Sequence, residues 1–280
     1  MKNGELTPVD YPIGKTGGGM STRHLFKIIM TSALFLTGVC MNGYAFGNTA
    51  SWKEEVLLHD GHTVIVKRSQ TYGGRHEIGQ SPPVREHTIS FSMLGSGNAI
   101  RWTSDYSEDI GRTNFNLLAL HIINGTPYLI VEPNLCLSYN KWGRPNPPYL
   151  FFKHDGTAWK RIPLAELPAE FTTINLIVNN SRIQDIKKLA SLTGFVPAEG
   201  VRQINSSLRQ PEYKTILREP SNSKKIACGV MIRSENGWLG IDWFSSQPNY
   251  EACVNICKRQ KVSLQNCPCE SIFNKDRGVK

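Results

Sequence analysis

The chain has few of the marks by which enzymes announce themselves. It has no Gly-x-Ser-x-Gly elbow, no His-Glu-x-x-His pair, no phosphate-binding glycine loop and no catalytic carboxylate pair, so no reaction class is named by motif. It also lacks a Cys-x-x-Cys pair, which removes the usual signature of thiol redox catalysis. No repeat of fixed period runs along it, which speaks against a β-propeller. Beyond residue 46 no apolar run approaches the roughly 20 residues of a membrane-crossing helix, which excludes a polytopic membrane protein. Charge is not concentrated either. The net charge is +9, but its basic residues adjoin in no more than doublets, such as Lys67-Arg68, Lys160-Arg161, Lys187-Lys188 and Lys224-Lys225. That is a solvated surface, without the patch that nucleic-acid binding requires.

The N-terminal region has an export layout. Arg23, His24 and Lys27 precede the apolar run Ile28–Cys40, and small residues Gly43 and Ala45 follow it at the −3 and −1 positions of a cleavage site. Residues 1–45 are therefore read as leader and signal peptide. The first 19 are polar and aperiodic, and two readings stay open: Thr16-Gly17-Gly18-Gly19 before Met20 fits a translated ribosome-binding site with Met20 as the true start, or the segment is a genuine short disordered leader. The alternative to cleavage is an uncleaved anchor tethering the protein to the membrane surface.

Hairpins dominate the body. Asp60-Gly61, Asn124-Gly125, Asp155-Gly156 and Glu235-Asn236-Gly237 each lie between two apolar, β-prone runs, and such pairs tolerate the positive φ of a tight turn. Thr88–Met93, Ala99–Thr103 and Ile174–Val178 are further predicted strands. In His87–Met93 every second residue is apolar, the mark of a half-buried strand, whereas Leu117–Ile123 is continuously apolar as in a central strand. Helix is scarce: one stripe spans 183–192, a short turn is expected within Leu164–Phe171, and another helix spans Tyr250–Arg259. The expected fold is mainly β, an antiparallel sandwich or open barrel over 46–196. A Ser-, Asn- and Pro-rich linker over 197–223 and a hairpin, helix and cysteine-rich tail over 224–280 follow it.

Seven cysteines are present, and Cys40 lies within the signal run. The other six, Cys136, Cys228, Cys253, Cys257, Cys267 and Cys269, form an even set suited to an oxidising compartment. Cys253 and Cys257 share a helix face, and Cys267 and Cys269 flank Pro268, too close to bond each other without strain. Two bridges between these pairs are expected. Cys136 and Cys228 then either pair across the chain or Cys228 joins the tail, and spacing leaves the connectivity open. Four thiolates also suit tetrahedral zinc, but the spacing and the compartment favour disulfide. No metal or other cofactor is assigned.

Three regions carry polar chemistry. Arg75, His76 and Glu77 lie among glycines in a loop between strands, and His76 with Glu77 is the candidate catalytic pair of an envelope hydrolase. Asp105, Glu108, Asp109 and Arg112 form an acidic loop lacking the order of a calcium site. The proline-stiffened run Tyr139–Tyr149 offers Tyr139, Trp142 and Arg144 as binding anchors for an envelope protein or a glycan. This run, with Lys160–Phe171, resembles a group of exported bacterial proteins that have no assigned function. The resemblance implies export and carries no site residues. The sequence thus points to an exported envelope protein that acts by binding, with a hydrolase as the alternative and the oligomeric state open.

Overall fold

A computed structural model describes residues 49–93, 99–178, 183–221 and 228–273. The signal run, the Ala45 cleavage point and the Met20 start lie outside these residues. The four turn signals all close antiparallel hairpins. Strand β1 (Thr49–Leu57) turns at Gly61 (φ 87°) into β2 (Thr63–Tyr72). β3 (Val84–Ser92) and β4 (Ala99–Thr103) complete a four-stranded sheet in the order β1-β2-β3-β4. A two-stranded ribbon, β5 (Tyr106–Ser107) with β6 (Arg112–Thr113), leads to the second sheet. There β7 (Phe115–Ile123) meets β8 (Thr126–Pro133) across Asn124-Gly125, both at positive φ as a type I′ turn requires. Helix α1 (Leu135–Lys141) then leads to β9 (Leu150–His154) and β10 (Trp159–Ile162), giving the order β10-β9-β8-β7.

The two sheets face each other as a sandwich. Val56, Val66, Ile89, Phe91 and Trp102 of the first interlock with Phe115, Leu117, Leu120, Leu129, Val131 and Leu150 of the second. Burying each such side chain stabilises the fold by about 1.5–3 kcal/mol. The second sheet is covered on its other face too, where Leu118, Tyr128, Ile130 and Phe151 meet Leu167, Phe171 and Ile216. This double burial is why β7 reads as a continuous apolar run. It is nevertheless the edge of its sheet, not a central strand. A bulge between Leu117 and Ala119 shifts the register, so Leu117 and Leu120 face the sandwich while Leu118 and Ala119 face away.

The predicted strand Ile174–Val178 joins no sheet; its segment runs along the β7 edge and closes it through a side chain. Asn175 accepts from Leu120 N–H (2.9 Å) and donates to the carbonyls of Leu120 (2.8 Å) and Leu57 (2.9 Å), doing for the edge what a fifth strand would do. The predicted helix forms over Ile183–Ala190 (α2), two residues shorter than expected. The stretch 197–223 is not a bare linker. It carries α3 (Ala198–Asn205) and a 3-10 turn (Pro211–Tyr213), and its Val201, Ile204 and Ile216 are buried. The apolar stripe of α2, Ile183, Ile186 and Leu189, packs with Val201 and Ile204 against Trp52 of β1. Val196 bonds β1 on both sides, accepting from Glu55 N–H and donating to Lys53 C=O. Among the described residues no helix is long and apolar enough to cross a membrane.

The tail forms a cluster of its own. The hairpin β11 (Met231–Ser234) and β12 (Gly237–Gly240) precedes α4 (Asp242–Ser245), α5 (Tyr250–Arg259) and α6 (Cys269–Phe273). Asn249 caps α5 by accepting from Ala252 N–H (2.9 Å). Disulfides join Cys253 to Cys269 and Cys257 to Cys267, and Phe244 and Ile256 fill the small core around them. The third disulfide, Cys136–Cys228, ties the tail to α1 across 92 residues. Of the two alternatives open in the sequence, this is the pairing across the chain.

Candidate functional site

The structure places the sequence-derived candidates in three different settings. Arg75, His76 and Glu77 are exposed. The loop is held by Arg75 N–H donating to Gly111 C=O (3.0 Å), with Gly74 so close to that carbonyl that any side chain would clash. His76 Nδ1 donates to Gly74 C=O (2.8 Å) and Glu77 accepts from Gln80 Nε2 (3.4 Å). The two side chains make no hydrogen bond to each other, so the pair has no base-and-orienter geometry. Of the acidic loop, Asp109 pairs with Arg233 (3.1 Å) and Lys141 (3.4 Å), pinning the tail hairpin to the sandwich. Burial raises its pKa, but the Ser107 hydroxyl and these two cations prevail and leave it below the ordinary carboxylate value.

Tyr139, Trp142 and Arg144 come together, but as construction. Tyr139 is buried on α1, a helix that the proline-rich surroundings concealed, and the Arg144 guanidinium lies over its ring at 5.1 Å. Arg144 donates to Asn140 Oδ1 (3.1 Å) and to Gly229 C=O (3.2 Å), next to the Cys136–Cys228 bridge. Trp142 packs against Phe115 with ring centroids 4.7 Å apart and closes one end of the sandwich core. Tyr139 is buried, whereas Trp142 and Arg144 are half-buried.

A set that sequence reasoning missed lies on the outer face of the first sheet. Strand register places Lys53 opposite Lys67, Lys67 opposite Ser90 and Ser90 opposite Arg101. This row crosses all four strands, about 14 Å at roughly 4.8 Å per strand spacing. Its three cations are exposed. Among the described residues, none of the three has a carboxylate in salt-bridge range. The neighbouring row is Ser51, Ser69, Thr88 and Thr103, four hydroxyls in register. Arg101 leans over this row, donating to Thr88 Oγ1 and Thr103 Oγ1 (both 3.4 Å). The alternation that buries Val56, Val66 and Ile89 inside is what turns these residues outward. It is visible in the sequence, but the register that lines them up is not.

The inner face beneath the row is unusual in its own way. Glu54 and Arg68, the sequence neighbours of Lys53 and Lys67, point inward as a fully buried ion pair (Oε1 to Nη1 2.8 Å). Trp52 Nε1 (2.7 Å) and Ile177 N–H (3.3 Å) also donate to Glu54. Arg68 lies over the Trp52 ring at 5.2 Å. His87, on the same face, is pushed down to about 3 by burial and by Arg68, so it stays neutral. The inner face therefore carries no net charge, while the outer face carries Lys53, Lys67 and Arg101 together with the carboxylates of Glu55 and Glu86.

Compared with family models, curated proteins and solved structures, the chain matches none.

Proposed function

We propose that this protein is an exported binding module of the cell envelope, and that its ligand is an anionic polysaccharide laid across the outer face of the first sheet. The row Lys53–Lys67–Ser90–Arg101 is the observation that carries the reading. Two lysines directly opposite on adjacent strands repel each other and weaken the sheet by some tenths of a kcal/mol. A polyanion removes that repulsion. The serine and threonine row beside it supplies hydrogen-bonding partners for sugar hydroxyls. The same row presents no aromatic ring on which a base would stack, which favours glycan over nucleic acid. Export is supported by the signal-like run before Ala45, by the resemblance to exported bacterial proteins and by three disulfides.

The test is binding of the protein to immobilised polygalacturonate, with neutral dextran as the control. Binding to polygalacturonate that weakens with salt and disappears in Lys53→Ala/Lys67→Ala supports the reading. Equal binding to dextran, or binding unmoved by the double substitution, refutes it. Preference for single-stranded DNA or for anionic vesicles over polygalacturonate also refutes it. The mass of the protein from native envelope fractions tests export separately, with a chain beginning at Phe46 as the expected result.

A further inference from the structure

A second site lies beside the β1–β2 turn, distinct from the lysine row. A cavity of about 490 Å³ opens there between that turn, the segment beside β7 and one side of α3. This is within the range of small-molecule sites. Its walls are of two kinds. Leu58, Ile174 and Val201 give it apolar surface, while His59, Glu170 and Lys214 bring an imidazole, a carboxylate and an ammonium. Glu170 and Lys214 are exposed at the rim.

Several donors and acceptors here lack partners. Among the described residues the backbone N–H groups of Thr173, Ile174 and Asn175, all three lining the cavity, have no acceptor. His59 Nδ1 is buried and also has no partner. The His59 ring is held edge-on to Phe171 (5.1 Å), and Phe171 stacks on His121 (4.7 Å, 12° between planes). His121 Nε2 lies 3.0 Å from Thr173 C=O, which fixes the proton on Nε2. The His59 imidazole thus lines the cavity with its ring against Phe171 and its Nδ1 unpartnered. A cavity with unpaired N–H donors and an ammonium, a carboxylate, and apolar wall between them is complementary to a molecule with both charges on a short apolar body.

We infer that this cavity binds an amino acid or dipeptide as its zwitterion. Lys214 and the free N–H groups take the carboxylate, Glu170 takes the ammonium, and Leu58, Ile174 and Val201 take the side chain. The site stands independently of the sheet face and of the polysaccharide reading.

Calorimetric titration with leucyl-leucine tests it, alongside the N-acetylated dipeptide and the dipeptide amide, each lacking one charge. The free dipeptide binds saturably, and blocking either end weakens it by about tenfold or more, as expected for a charge-assisted hydrogen bond. Lys214→Met removes the discrimination against the amide, and Glu170→Gln removes that against the acetylated form. Both side chains are at the surface, so neither change threatens the fold. Equal affinity for free and blocked peptides overturns the inference, as does no saturable binding. Binding of the acetylated form as tightly as the free one shows a site for carboxylates alone and overturns the zwitterion assignment.

Discussion

Replacing Arg68 by methionine removes one half of an ion pair with almost no contact with water. The two side chains are 1% and 0% exposed, and the Glu54 carboxylate also accepts from Trp52 Nε1 and Ile177 N–H. Without Arg68 the carboxylate keeps these two neutral donors but loses its counter-charge. Stranding a buried charge in this way costs about 3–5 kcal/mol. At roughly 2–4 °C per kcal/mol for a chain of this size, Arg68→Met lowers Tm by about 6–20 °C. The double variant Glu54→Gln/Arg68→Met removes the charge and leaves an amide oxygen for Trp52, so it recovers at least half of the loss. Urea unfolding followed by circular dichroism gives both numbers. His87 supplies a second readout, because Arg68 is one of the two causes holding its pKa near 3, and the NMR titration of its ring moves upward in Arg68→Met. A loss below about 1 kcal/mol for Arg68→Met, or a double variant no more stable than the single one, refutes the picture of a desolvated pair.

Four more outcomes are expected. Lys67→Glu puts opposite charges across from each other at Lys53, so the fold gains about 0.2–1 kcal/mol in urea unfolding while polygalacturonate binding is lost. Removing Cys136 and Cys228 together, each to alanine, costs more than removing Cys257 and Cys267, because a 92-residue loop is opened instead of a 10-residue one. The chain-entropy model puts these near ~4–5 and ~3 kcal/mol, and the order of the two thermal midpoints is the check. Trp142→Ala opens a cavity against Phe115 and lowers stability by about 3–5 kcal/mol while ligand binding per folded molecule stays unchanged. Stability also falls with acid through two buried histidines. His87 and His121 stay neutral in the fold down to about 3 and about 4, chiefly because of burial, whereas the unfolded chain takes up protons near the ordinary 6.5. The stabilisation is complete above pH 6.5 and is lost as pH falls to about 4 for His121 and about 3 for His87, at about 1.4 kcal/mol per pH unit for each residue. In His121→Phe the slope of stability against pH halves over that window; an unchanged slope refutes the assignment.

Local chemistry explains what was legible. Turn dipeptides act within four residues, so Asp60-Gly61, Asn124-Gly125, Asp155-Gly156 and Asn236-Gly237 marked their hairpins, and the spacing of Cys253 and Cys257 agreed with the helix α5. What long-range packing decides was misread or missed. α1 was hidden because Leu135–Lys141 follows Pro133 and precedes a proline-rich run, and its helix is held by burial of Tyr139 and by the bridge from Cys136. Trp142 and Arg144 have the residue types of an interface anchor, and composition alone does not tell a ring that fills a core from one that waits for a partner.

The sequence by itself therefore determined the class of fold, the hairpin order and the set of cysteines that pair, since these follow from alternation, turn conformations and short spacings. Only the tertiary structure decided which strands lie side by side, and with that which residues share a face or a cavity. Lys53, Lys67 and Arg101 are separated by up to 48 positions in the chain and become one row through register alone. His59, Glu170 and Lys214 meet around one cavity for the same reason. Charge and hydrogen bonding act over a few ångströms of space, and a linear sequence does not contain those distances until the sheets have packed.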